Sequence, residues 1–279
     1  MTAIIFILAC AVVSRAQFDS IGRRSAVAFL SYLEKKGQAD DAVYLLSRLP
    51  SRIKDDSLMI AQARGLLALK REKEALSLLA AFKPAENKTL NKVTLLQNHA
   101  RLLMQRNDSV LAPECAGDTL CEALYRIQLM AALLLKEDHR NFDVLFKSFS
   151  SRNALLTLSA YNLYVYSEQW QDRRKKSPAV AGILSAIVPG TGRLYAGKPH
   201  EALHTFLPVA FNIAQSAEGF YHKQYKSPHF YVFGSMAAFF HVANIAGSVR
   251  AAKRKTSEEI DLYRLNIEHE LSKLLKYYN

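Results

Sequence analysis

The amino-acid sequence predicts an all-α protein in two parts, a solenoid of helical hairpins followed by a small α-helical transmembrane domain. Three observations predict it. A ten-residue pattern returns at an offset of 33 residues, two long apolar segments follow it, and the basic residues gather at the edges of apolar segments.

The chain has 279 residues, half of them hydrophobic, and a formal charge of +12, a composition that excludes bulk disorder. A basic balance can serve nucleic acid or anionic lipid, and the positions of the charges separate the two. Arg173, Arg174, Lys175 and Lys176 precede one apolar segment, and Arg250, Lys253, Arg254 and Lys255 follow another, as at a lipid headgroup layer. Membrane lipid is therefore an expected partner, and nucleic acid is not.

Residues 4–13 form an apolar run too short to span a bilayer, followed by Ser14, Arg15 and Ala16. Residues 1–16 accordingly read as a signal peptide cleaved after Ala16, although only the terminal amine supplies its n-region charge. A buried first helix and acylation at Cys10 are the other readings of this run. Removal of the leader leaves two cysteines, Cys115 and Cys121, and an even count in an exported chain predicts a disulfide. Their spacing is not that of a zinc knuckle, and no histidine lies nearby in sequence.

Residues 17–150 carry the repeat pattern. Residues 41–50 align with residues 74–82 at the 33-residue offset, and each stretch follows another helix, at 26–34 and 60–70. A later helix at 143–149 follows one at 125–135. Residues 100–104 echo residues 63–67, but Asn107, Asp108 and the two-cysteine loop interrupt that unit. This stretch resembles degenerate tetratricopeptide repeats, with the Trp and Gly-Tyr landmarks of that family mostly absent; a generic helical solenoid fits the same pattern. In either case one hairpin cannot bury its own apolar face, so stacking makes the core and leaves a groove suited to peptides or protein segments. A helical spacer without a ligand has the same shape. A chain ended near Phe149 is expected to fold by itself.

Residues 151–177 read as a juxtamembrane helix and basic cluster, because Tyr161, Tyr164, Tyr166 and Trp170 stand just ahead of the four cations. The cap of a solenoid would carry similar aromatics.

The expected membrane domain is residues 178–255, with apolar segments at 178–188, 202–220 and 230–249. The last two have the length to cross; the first either enters and turns back or crosses irregularly. Between them lie Pro189, Gly190, Gly192, Tyr195 and Gly197, preceded by Ser177, Pro178 and Ser185. This P-G-x-G-x-x-Y-x-G run resembles the opening of a group of small, poorly characterised bacterial membrane domains, akin to the TM-two class, in which the motif precedes a hydrophobic hairpin. The resemblance implies an integral membrane module and no particular reaction. The chain departs from that pattern at Arg193, where such domains often carry Gln. A nucleotide-binding reading fails, since there is no third glycine at dinucleotide spacing and no Gly-Lys-Ser/Thr.

Polar residues within the apolar segments fall on helix faces. His204, Pro208, Asn212, Gln215 and Gly219 share one face, and Ala237, His241, Asn244 and Ser248 share another. The two stripes are expected to face each other and to hydrogen-bond, since polar groups in hydrocarbon are costly. Five of the eight histidines lie between His200 and His241, which raises the alternative of a metal or small-ligand site on His204, His241 and Glu218. No other cofactor is indicated. Residues 256–279 begin with a capping-box pattern at Thr256–Glu259, and Ile260, Tyr263, Ile267, Leu271, Leu274 and Tyr278 follow at three- and four-residue steps, as in a separate amphipathic helix.

Function follows from this arrangement as an expectation. The chain reads as a non-enzymatic, membrane-anchored scaffold of a bacterial cell envelope, its repeat domain extracytoplasmic and holding an unidentified protein or peptide near the bilayer. Two spans would return the basic tail to the side of the repeats, and three would place it opposite.

Overall fold

The computed structural model describes residues 29, 32–33, 36–48, 56–84, 86–104, 110–115, 117–173 and 175–278. The expected signal peptide and Arg174 lie outside these residues. The described elements are helical: α1 Ala39–Arg48, α2 Asp56–Ala68, α3 Glu72–Ala81, α4 Asn87–Leu103, α5 Thr119–Leu135, α6 His139–Lys147, α7 Ala154–Asp172, α8 Pro178–Ile187, α9 Thr191–Tyr195, α10 Pro199–Lys223 and α11 Pro228–Lys273. They form two compact units, one of Met1–Glu168 with Asn266–Asn279 and one of Gln169–Leu265.

In unit 1 each helix from α1 to α6 packs on the next along the chain, the neighbour-on-neighbour contact of a repeat array. The repeat is visible in its turns. Gly37, Lys70 and Glu137 all adopt left-handed backbone, at φ 72°, 57° and 57°. At each the residue after the turn donates its N–H to a carbonyl five positions back: Gln38 to Leu33, Arg71 to Leu66 and Asp138 to Leu133, all at 2.9 Å. This is the Schellman closure of a helix, which satisfies carbonyls that the last turn leaves free. The following helix is then tied by the same pair of positions, Gln38 to Asp41, Arg71 to Glu74 and Asn141 to Asp138. Ala42, Ala75 and Phe142 come next in register, each buried.

The third hairpin is interrupted where the sequence shows it. Residues 110–115 pack back along α4 as non-helical chain. Asn98, fully buried, brackets Leu111, its Nδ2 donating to the carbonyl and its Oδ1 accepting the N–H, both at 2.8 Å. Two turns earlier Asn91 donates to the carbonyl of Glu114 at 2.8 Å. The backbone groups that a second helix would have satisfied internally are thus met by side-chain amides. Cys115 and Cys121 are joined across this loop, Cα–Cα 5.5 Å, and Asp118 caps α5 by accepting from Leu120 N and Cys121 N. We expect the bond in the native protein, contributing about 2 kcal/mol by closing the loop. Alkylation under denaturing, non-reducing conditions followed by mass spectrometry should show no label on either cysteine until reduction. Two labelled thiols in fresh protein would count against both the bond and export.

Leu156, Ala160 and Leu163 of α7 are buried in unit 1, and Phe146 stacks on Tyr164 at 4.7 Å, so residues 154–168 pack as part of unit 1. The tail is not a separate helix. No cap forms at Thr256, whose hydroxyl bonds back to Ala252 O, and α11 runs unbroken from Pro228 to Lys273. A capping box acts only where the chain before it leaves the helix, and Ala251, Ala252, Lys253 and Arg254 are strong helix formers. Beyond Leu265 this helix belongs to unit 1, where Ile267, Leu271, Leu274 and Tyr278 are buried.

Candidate membrane interface

Unit 2 is built around the glycine motif. Ser177 caps α8 and Pro178 occupies its first turn, where its missing N–H costs nothing. The chain reverses at Pro189 and Gly190; Gly190 has φ 88°, and a Cβ there would meet the carbonyl of Ala202 at 2.6 Å. α9 then lies so close on α8 that a Cβ on Gly192 would run into the Ala181 carbonyl and Ser185 Oγ. Helices approach like this only over small residues. Tyr195 Oη accepts from Ser177 N at 3.1 Å, so Gly192 and Tyr195 make the α8–α9 contact, Gly190 turns against α10, and Gly197 closes α9 at φ 77°.

Gly192→Ala should therefore destabilise unit 2 at the upper end of the about 1–3 kcal/mol typical of overpacking. Trp170, the single tryptophan, stacks on Tyr263 within unit 2 at 4.3 Å and reports its unfolding by fluorescence in detergent. An unchanged melting temperature would mean that α8 and α9 are not packed this closely.

α8 also packs on α11. Ser185 Oγ donates to Ser248 Oγ at 2.7 Å, a Cβ on Gly182 would meet Val249, Nε2 of His241 lies 3.1 Å from Ala186 O, and Ala181, Ala196, Ala251 and Ala252 form a cluster. α10 pairs with α11 through Ser216, whose hydroxyl donates to Phe230 O at 3.0 Å, and through Gly219 against Phe230 N.

The face that α10 buries is Ala202, Val209, Asn212, Ser216 and Gly219, spaced at three- and four-residue steps and multiples of them. The expected polar stripe is therefore rotated. Asn212 and Gly219 face inward, Gln215 is half-buried, and His204 and Pro208 are exposed. On α11, Asn244 and Ser248 are buried and His241 is half-buried. Asn212 donates to Pro208 O of its own helix at 2.7 Å, and neither amide atom of Asn244 has a partner. Among the described residues no three His, Cys, Asp or Glu side chains come together as a metal-ligand set.

Polarity in unit 2 is inverted. Its interior is mostly alanine, glycine, serine and asparagine, with Trp170, Val209 and Tyr263, while Ile183, Ile187, Phe211, Phe239 and Val242 are 62%, 73%, 59%, 70% and 66% exposed. Of the described helices, the one beginning at Pro228 has both the length and the apolarity to cross a membrane. α10, with 25 residues and about 37 Å, has the length. Its mean hydropathy is lowered by Asn212, Gln215, Glu218 and the histidines.

Charge collects at one end of the unit. Arg193, the departure from the motif, reaches Glu201 at 3.6 Å and lies against Gly247; Glu201 accepts from Arg254 at 2.6 Å, and Lys198 meets Glu258 at 3.3 Å. Of the cations expected at headgroups, Arg173 stacks on Trp170 at 3.0 Å and Lys176 lies 4.7 Å over Tyr195, leaving Lys175 exposed. Nothing in the periodicity marks Glu201 or Ser185 as partners; their contacts arise only when α8, α10 and α11 pack together.

Unit 1 offers a second surface, a groove of about 750 Å³ between repeat-equivalent helices, lined by Asp40, Tyr44, Gln62, Leu66, Arg71 and Glu74.

No protein-family model matches the chain, and comparisons with curated proteins and with solved structures find no match.

Proposed function

We propose that the chain is a non-enzymatic, membrane-anchored scaffold of the cell envelope. Unit 1, a tetratricopeptide-like solenoid on the extracytoplasmic side, holds a protein or peptide segment, and unit 2 anchors it in the bilayer. The observation that carries this reading is the inverted polarity of unit 2. Exposed Phe, Ile and Val side chains around a core made mostly of Ser, Asn, Ala and Gly are costly in water and favourable in hydrocarbon. The exposed Lys175, Arg250 and Lys253 suit anionic headgroups at the boundary of that apolar zone.

The protein is expected to sediment with membranes, to resist alkaline carbonate and to be released by detergent. Release by carbonate alone would overturn the anchor. The partner of unit 1 is then sought by pull-down from detergent-solubilised membranes, with Tyr44→Ala and Arg71→Glu in the groove as variants expected to lose it.

A further inference from the structure

The reading of unit 2 as membrane-embedded, on which this inference rests, leaves its sidedness open, and the fold closes it. We infer that the chain crosses the bilayer twice, through α10 and α11, while α8 and α9 enter from the side of unit 1 and return to it, so that the described helices before residue 169 and the residues after 265 share one face of the membrane.

Parity comes first. The C-terminal residues Asn266–Asn279 belong to the same compact unit as residues 1–168. Gln128 Nε2 donates to Tyr278 Oη at 2.9 Å, and Asn162 Nδ2 donates to Glu270 Oε1 at 3.0 Å, within a buried core. A bilayer cannot run between residues in such contact. The chain from 169 to 265 must therefore cross an even number of times. A crossing by α11 alone would be odd, so a second helix has to return the chain.

α8 is not that helix. Its ten residues span about 15 Å, half of a ~30 Å hydrocarbon core. Its start and the end of α9 meet in the Ser177 N to Tyr195 Oη bond, so the segment begins and ends at one level. A broken helix inside hydrocarbon is tolerated only where its freed backbone groups find partners in the protein. Here they do. Thr191 Oγ1 lies 2.6 Å from Leu184 O and 2.7 Å from Val188 O, and Ser185 Oγ accepts from Gly192 N at 2.9 Å.

α10 fits the remaining role. Its first turn is tied to the residues that follow the apolar part of α11, by Glu201 with Arg254 and by Lys198 with Glu258. Its last turns meet the first residues of α11, at Ser216 and Gly219 against Phe230. The two helices are thus antiparallel over the apolar zone. Leu203, Phe206, Leu207, Phe211, Ile213 and Phe220 of α10 are exposed along that length. The turn Gln224–Lys226 lies at the end away from the charged cluster.

Labelling in sealed membranes tests this. In the full chain with Cys10, Cys115 and Cys121 replaced by serine, single cysteines are placed at the exposed positions Ser47→Cys, Tyr225→Cys and Ser272→Cys, and a membrane-impermeant maleimide is applied from one side. Positions 47 and 272 should label together, and position 225 should label only from the other side or after detergent. Opposite sides for 47 and 272 would overturn the even count. Labelling of all three from one side would overturn the crossing pair. Either result can occur in protein that resists carbonate, so the topology and the anchor fail separately.

Discussion

Tyr278→Ala is expected to destabilise unit 1 by about 3–5 kcal/mol, the cost of emptying a site filled by a buried aromatic ring. Tyr278 is fully buried next to the C-terminus, its ring edge-on to His99 at 6.2 Å and its hydroxyl accepting from Gln128. Burial holds the phenol well above its ordinary pKa, so it stays protonated, with the Gln128 hydrogen bond acting in the opposite direction. Alanine would leave one N–H of the Gln128 amide, already without a partner at Oε1, unpaired, while Nε2 still donates to Leu95 O at 2.7 Å. Removing residues 266–279 should do more, since Ile267, Leu271 and Leu274 are each fully buried and each contribute about 1.5–3 kcal/mol, against a total stability of about 5–15 kcal/mol. Hydrogen exchange of α4 and α5 in the full chain reads the effect, and Tyr278→Ala should speed it by at least about a hundredfold. Unchanged protection would show that the tail does not complete this core. A fragment ended at Phe149 lacks both α7 and the tail and is not expected to be stable alone.

Acid should weaken the same core through His99. The imidazole is fully buried, neither ring nitrogen has a hydrogen-bond partner, and burial lowers its pKa from 6.5 to about 4. The native state therefore holds it neutral while the unfolded chain protonates near 6.5. The sign follows: the unfolded state binds more protons between these values, so stability is full above about pH 6.5 and falls as pH drops toward 4, by about 3 kcal/mol in all. Other groups titrate in this range, so His99→Leu isolates the contribution. Urea unfolding followed by circular dichroism at pH 7 and pH 4 should show the wild type losing about 3 kcal/mol more than the variant. Equal losses would mean that the ring is not held neutral in the core.

Much of the architecture was legible because it is local. The 33-residue offset between residues 41–50 and 74–82 needs only helical periodicity to be seen, and the structure repeats it at Gly37 and Lys70. At Lys70 and Glu137 a charged residue stands where glycine is usual, so the left-handed turn itself is not marked by residue type. Gly190 and Gly192 could be read as a tight turn and close approach. The face of α10 could not. Helical spacing groups His204 with Asn212 as readily as it groups Val209 with Asn212, and which face turns inward depends on where α11 lies.

The sequence by itself determined the helical class, the repeat, the apolar C-terminal part and the glycine-bounded reversal, because each is written in residues near one another along the chain. Tertiary structure alone decided that α11 runs unbroken past Thr256, that its end completes a core begun over a hundred residues earlier, and that Arg193 is paired with Glu201. The physical reason is that a capping box, an amphipathic stripe or a buried charge states what an element requires. Only packing supplies the partner, and each partner here lies on another helix.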